Sequence, residues 1–189
     1  SKLGGELDVK VGQLRIGTLR LDAAAMHMAL ADEVLSVTPM TAKMADGTVT
    51  ATVRIEGGKS GVPGIGLTYK LDDADFAKLG PQTIGAGFAT GRVSLDVQAE
   101  AQGRSWLGMV SSINGVGKVT TNNARLAPLN LPAYVAALKD ATAVGELPGL
   151  SGKILQSGET KVDGLDGDMS FKDGLGRLTR NELALDGGK

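Results

Sequence analysis

The chain has no cysteine, one histidine, one tryptophan, few aromatics and almost no net charge in its 189 residues. Without cysteine there is no disulfide framework and no thiol nucleophile, although the compartment stays open. With only His27, a metal site would have to be built from carboxylates, and a serine–histidine pair could form at one place only. A net charge of −1 leaves no electrostatic footprint for nucleic acid or for an anionic membrane surface. The longest apolar run, Ala23 to Ala31, is too short for a membrane-spanning helix and carries His27 within it. Ser1 at the start and Lys189 at the end lead to the expectation of a fragment of a larger protein, with any signal or anchor outside it.

What the chain has instead is glycine, 28 residues of it, and a period of two. Leu7 to Val11, Leu14 to Ile16 and Leu19 to Leu21 alternate apolar with polar residues. So do Val49 to Ile55, Leu67 to Leu71 and Val93 to Val97. Met26, Met28 and Leu30 form one face, and Val34 to Val37 and Met40 to Met44 continue the series. A period of two puts one set of side chains on a buried face and the other in water. Asp46-Gly47 predicts a tight hairpin turn, because a type I′ turn needs positive φ at both central residues. Asp163-Gly164, Asp166-Gly167 and Asp173-Gly174 predict turns between short strands near 160–162, 168–171 and 182–185. Residues 57–66 form a glycine-rich loop and a candidate internal boundary.

Three short helices are predicted, over 72–80, 105–114 and 131–142, each with an apolar stripe read as core packing. In the second, the stripe is Trp106, Met109, Val110 and Ile113. The fold class is therefore α+β and β-rich: a curved antiparallel sheet of many short strands, with a few short helices packed on one side. One module over 1–189 accounts for the pattern.

No constellation of residues reads as a reaction centre. His27 lies between Met26 and Met28 and should face away from them. The aspartates at 163, 166, 168 and 173 fail the spacing of an EF-hand loop in either register. Gly85 to Gly91 misses the dinucleotide fingerprint in its last glycine and lacks a leading strand. Gly103-Arg104-Ser105 lacks the glycine that a nucleophile elbow requires two residues after the serine. The expectation is a non-enzymatic protein, with no catalytic residue, no metal and no cofactor.

Two stretches resemble a known family. Thr90 to Val119 follows a pattern of a strand, an "A-x-G-x-S" element at Ala101 to Ser105, a short helix, Ser112-Ile113-Asn114-Gly115 and a further strand. Leu126 to Leu131 and Gly158 to Gly167 are similar to later elements, and Ala31 to Met40 to an earlier strand pair. These segments resemble the C-terminal region of AsmA-like bacterial envelope proteins, related to bridge-like lipid-transfer proteins. The chain departs from that pattern at Glu33-Val34 and Asn123-Ala124, where Asp-Gly is usual, and at Ala45-Asp46-Gly47, where Gly-Gly is common.

The resemblance implies a periplasmic module of an inner-membrane-anchored parent protein, supporting outer-membrane biogenesis by handling phospholipid along an apolar sheet face. Its partners would be phospholipid acyl chains, and envelope proteins or neighbouring modules of the same chain, with no nucleic acid. The lipid-facing candidates it implies are Val49, Val53, Ile55, Leu67, Tyr69, Leu71, Val93, Leu95 and Val97. The rival expectation is a structural β-repeat domain that binds a protein through an exposed sheet edge. A hydrolase dependent on His27 is the weakest of the three.

Overall fold

A computed structural model describes residues 4–57, 61–83, 89–127, 133 and 158–185. Among them, nine strands form one antiparallel sheet in strict sequence order. The strands are β1 (Gly5–Ile16), β2 (Leu19–Ala31), β3 (Val34–Met44), β4 (Gly47–Glu56) and β5 (Gly64–Asp75). They continue as β6 (Ala89–Gln102), β7 (Asn114–Leu126), β8 (Thr160–Lys172) and β9 (Leu175–Leu185). Helix α1 (Phe76–Thr83) joins β5 to β6, and α2 (Trp106–Ser111) joins β6 to β7. The fold is thus β-rich, one open antiparallel sheet joined, among the described residues, by the short helices α1 and α2.

The strands are longer and fewer than the alternation alone predicts. The segments at 7–11 and 14–16 are one strand, as are 34–37 and 40–44, and 160–162 and 168–171. What interrupts the alternation in several strands is a bulge rather than a turn. Three bulges carry a residue in the left-handed region: Ala23, Asp73 and Asn123, with φ of 51°, 54° and 50°. Each inserts an extra residue against its neighbour, so the residues before and after it turn to the same side. Leu21 and Ala24, Leu71 and Ala74, and Thr121 and Ala124 are accordingly all buried. A fourth irregularity, between Val37 and Met40, contains the cis Thr38–Pro39 bond.

Three of the tight turns are built from two consecutive residues of positive φ. Asp32-Glu33, Ala45-Asp46 and Asp173-Gly174 occupy the central positions, as the right-handed twist of a two-residue hairpin favours. At the second of these, the turn sits one residue earlier than Asp46-Gly47 predicts, and Gly47 already belongs to β4. Asp163-Gly164 and Asp166-Gly167 are not turns at all but lie within β8. Gly167 pairs across β7 with Val119, and Asp166 turns to the other face, where it meets Lys118 at 3.0 Å. Of the loop predicted over 57–66, Gly64 to Gly66 already belong to β5, which pairs with β4 from Glu56–Gly64 onward in the same sheet.

Helix α1 starts at Phe76, four residues later than predicted, because Asp72 to Asp75 complete β5. The Asp75 carboxylate accepts the Ala77 N–H at 2.9 Å and so satisfies one open donor of the first turn. The predicted helix over 131–142 lies outside the described residues except for Ala133.

Candidate functional site

Direct cross-strand partners in an antiparallel sheet point to the same side, so the register sorts every side chain by face. One row runs Ala42, Val49, Leu71, Leu95, Val119. The next crosses all nine strands as Val9, Met26, Met40, Ala51, Tyr69, Val97, Gly117, Met169, Leu178. A third also crosses all nine: Leu7, Met28, Val37, Val53, Leu67, Ala99, Gly115, Phe171, Gly176. A fourth comprises Gly5, Leu30, Leu35, Ile55, Ile65 and Ala101. The first row continues through Gly167 to Asn181; none of these four rows contains a charged residue.

The opposite face is mostly polar, with Val34 and the exposed Val116 among its apolar members. Lys70, Asp96, Lys118 and Asp168 stand directly opposite one another across β5 to β8, an alternation of charge that favours this register. Arg54 meets Glu56 at 2.5 Å and Lys70 meets Asp72 at 3.3 Å along their own strands. His27 belongs to this side, turned away from Met26 and Met28, with its Nδ1 2.8 Å from the Asp8 carboxylate. A shallow depression of about 670 Å³ lies on the polar face, bordered by Thr52, Arg54, Thr68, Gln98 and Glu100. Among the described residues no group of three or more metal-ligating side chains converges.

The two ends of the apolar face differ. At one end Leu21, Ala24, Ala42, Met44, Val49, Leu71, Ala74 and Val93 form a closed core, with Phe76 and Leu79 of α1 packed on it. Helix α1 reaches from β5 and β6 back to β2. There the Gln82 side chain accepts the Arg20 N–H at 3.0 Å, and the Gln82 carbonyl accepts the Thr18 hydroxyl. Lys78 ties the same helix to the β3–β4 turn through Asp46 at 2.6 Å; that contact holds the ammonium pKa above its usual value. Arg92 grips Asp73 at 2.6 Å across β5 and β6, and its hydrogen bond holds that carboxyl below the usual range.

Toward the other end the same rows open. Along β4, Val49 is fully buried and Ala51 nearly so, whereas Val53 and Ile55 are half-buried. Along β5, exposure rises from 1% at Leu71, through half-buried Tyr69, to 36% at Leu67. Burial also raises the pKa of the Tyr69 phenol. The nine sequence-derived candidates therefore share one face but divide by position. Val49, Leu71 and Val93 belong to the closed core and half-buried Tyr69 and Leu95 pack against it; Val53, Ile55 and Val97, half-buried, and the exposed Leu67 form the surface beyond.

Trp106 departs from the expected core role. With Leu107 it stands exposed, at 83% and 76%, while Met109 and Val110 turn inward. The helix spans six residues and starts at Trp106, so too few turns exist to bury a stripe running from Trp106 to Ile113. Ser105 does cap it, its Oγ accepting the Gly108 N–H at 3.1 Å. The bulges were also unmarked in the alternation; the repeated Leu-Asp-x-Ala of 21–24 and 71–74 is the signal that points to them.

No curated protein and no solved structure matches the chain. A model of the AsmA family matches residues 1–181, from ahead of β1 into β9, and so takes in both the apolar face and the helix that caps it. Over that length, the chain belongs to the AsmA family.

Proposed function

We propose that this chain is a non-enzymatic periplasmic module that carries phospholipid acyl chains on its apolar sheet face, as part of an inner-membrane-anchored protein of outer-membrane biogenesis. Membership of the AsmA family fits an envelope-related function. The observation that carries the reading is the pair of apolar rows crossing all nine strands, with α1 closing one end of the face. A surface two to four residues deep and nine strands wide matches an extended hydrocarbon chain better than a compact polar metabolite. Each methylene moved from water onto such a face gains about 0.8 kcal/mol. Roughly a dozen would supply about 10 kcal/mol before the costs of ordering the chain. No catalytic group is required.

The test is native mass spectrometry of protein purified without detergent, with lipid extraction of the same sample. Bound phospholipid is expected, and it is lost in Val53→Asp or Leu67→Asp protein that keeps its far-ultraviolet circular dichroism. A clean mass that added phospholipid leaves unchanged refutes the reading. A second reading draws on the open sheet: among the described residues β1 and β9 each pair on one side only. Such edges can accept a partner strand, and a scaffold of this kind would bind protein while its apolar face stayed free of lipid.

A further inference from the structure

Trp106 and Leu107 are adjacent, lie at the tip of the β6–β7 connection, and are the two most exposed large apolar side chains among the described residues. Their presentation is rigid. Gly103 packs so closely beneath the helix that an added Cβ would come within 2.6 Å of the Gly108 carbonyl carbon and the Met109 nitrogen. The β8–β9 turn abuts the helix from the side: the Gly174 N–H donates to the Ile113 carbonyl at 3.0 Å, and its Cβ position lies 2.5 Å from the Val110 carbonyl oxygen. Leu175, 65% exposed, follows directly from that turn. A frame this tight holds the indole and the leucine out in water, where the chain gains nothing from them on its own.

Two features select the occupant. The apolar tip is small and protruding, bordered by Arg104, Ser105 and Ser111, which are all exposed. A stable protein interface buries about 800 Å² on each partner around a fully desolvated centre, and two or three projecting side chains do not provide it. A bilayer surface needs no complementary pocket, and an indole, apolar with one N–H donor, suits the headgroup level. The tip also lies at the end of the strands remote from α1, where the apolar rows run out through Ile55 and Ile65.

We propose that Trp106 and Leu107 form a membrane-contact tip that seats the uncapped end of the apolar face on a phospholipid bilayer surface. The choice of occupant rests on the lipid-handling reading above, and the experiment separates the two. Trp106 is the chain's one tryptophan, so intrinsic emission reports on the tip alone. Cations and anions are mixed there, with Asp173 beside Lys172, so zwitterionic phosphatidylcholine–phosphatidylethanolamine vesicles are the probe.

On adding vesicles, the emission should shift to shorter wavelength, and lipids brominated in their acyl chains should quench it. The double variant Trp106→Ser, Leu107→Ser should co-sediment with vesicles about tenfold less or weaker still, with unchanged circular dichroism and unchanged bound phospholipid in native mass spectra. Emission that vesicles leave unaltered overturns the tip, even where the groove carries lipid. Emission already short in buffer and dependent on protein concentration also overturns it, by showing that a second copy covers the indole. A vesicle-dependent shift in protein whose groove binds no phospholipid upholds the tip and removes the lipid-carrying reading instead.

Discussion

Leu71 and Leu67 lie on the same strand and the same face, yet their truncation should cost very different amounts. Leu71 is 1% exposed and sits in the closed core with Val49, Ala74 and Val93. Replacing it with alanine removes the transfer energy of the lost carbons and leaves an enclosed cavity. Such changes cost about 2–5 kcal/mol. Leu67 is 36% exposed, so Leu67→Ala loses part of the transfer energy and opens onto solvent instead of enclosing a void; about 1 kcal/mol is expected. For a chain of this size 1 kcal/mol moves the melting temperature by about 2–4 °C. Leu71→Ala should then melt about 5–15 °C lower than the parent and Leu67→Ala within about 4 °C of it. Urea titrations with matched slopes would confirm that both variants unfold from the same native state. Equal losses at the two positions would show that the apolar face is uniformly covered, and the division into a closed end and an open end would fall.

Two further predictions concern the bulged level of the sheet. Gly91 has φ of +109° and its Cβ position lies 2.7 Å from the Ala124 Cα; Gly91→Ala combines backbone strain with a clash and should destabilise by about 2–4 kcal/mol in urea titrations, an unchanged midpoint being the refuting result. Asp73 has a carboxyl pKa depressed chiefly by its hydrogen bond to Arg92. A group depressed in the folded state contributes stability above its unfolded pKa and loses it as the pH falls through its folded pKa. Asp73→Asn, which keeps a residue tolerant of positive φ, should therefore lower stability slightly near neutrality and converge with the parent below about pH 4, which flattens the acid limb. An acid limb identical to the parent's would show that this pair adds nothing to the pH dependence.

The faces of the sheet were legible in the sequence because side-chain alternation is a local property of extended backbone. Val49 to Ile55 reads correctly residue by residue, and its register partners in β5 follow the same rule. Strand length was not legible. A bulge and a turn both break the alternation, and Ala23, Asp73 and Asn123 adopt the positive φ that turns also use. Asp-Gly misled for the same reason in β8, where Gly167 stands within the strand opposite Val119. Trp106 misled differently. Helical spacing predicts a shared face, but only a helix with enough turns and a surface beneath it can bury that face.

The bulges lie at Ala23, Asp73 and Asn123, fifty residues apart in each case. Each sits between a position that faces the core and a buried alanine, and two of the alanines have a glycine against them from the neighbouring strand. Gly47 would place a Cβ 2.8 Å from the Ala74 Cα, and Gly91 does the same to Ala124 at 2.7 Å. The recurring unit is therefore a bulge that turns an alanine inward, and in the second and third copies the backbone is approached so closely that the neighbour must lack a side chain. Bulges increase local twist, and repeating one at the same level bends that end of the sheet consistently, which is where α1 packs. The third copy is imperfect: where Leu21 and Leu71 stand in the first two, Thr121 buries a hydroxyl with no hydrogen-bond partner, a cost of about 1–3 kcal/mol. Repetition of backbone geometry with drift in the side chains is what a sheet that adds strands in sequence order permits. Each new hairpin needs to match only its neighbour's twist and apolar rows, so the face stays continuous while the residues that compose it change.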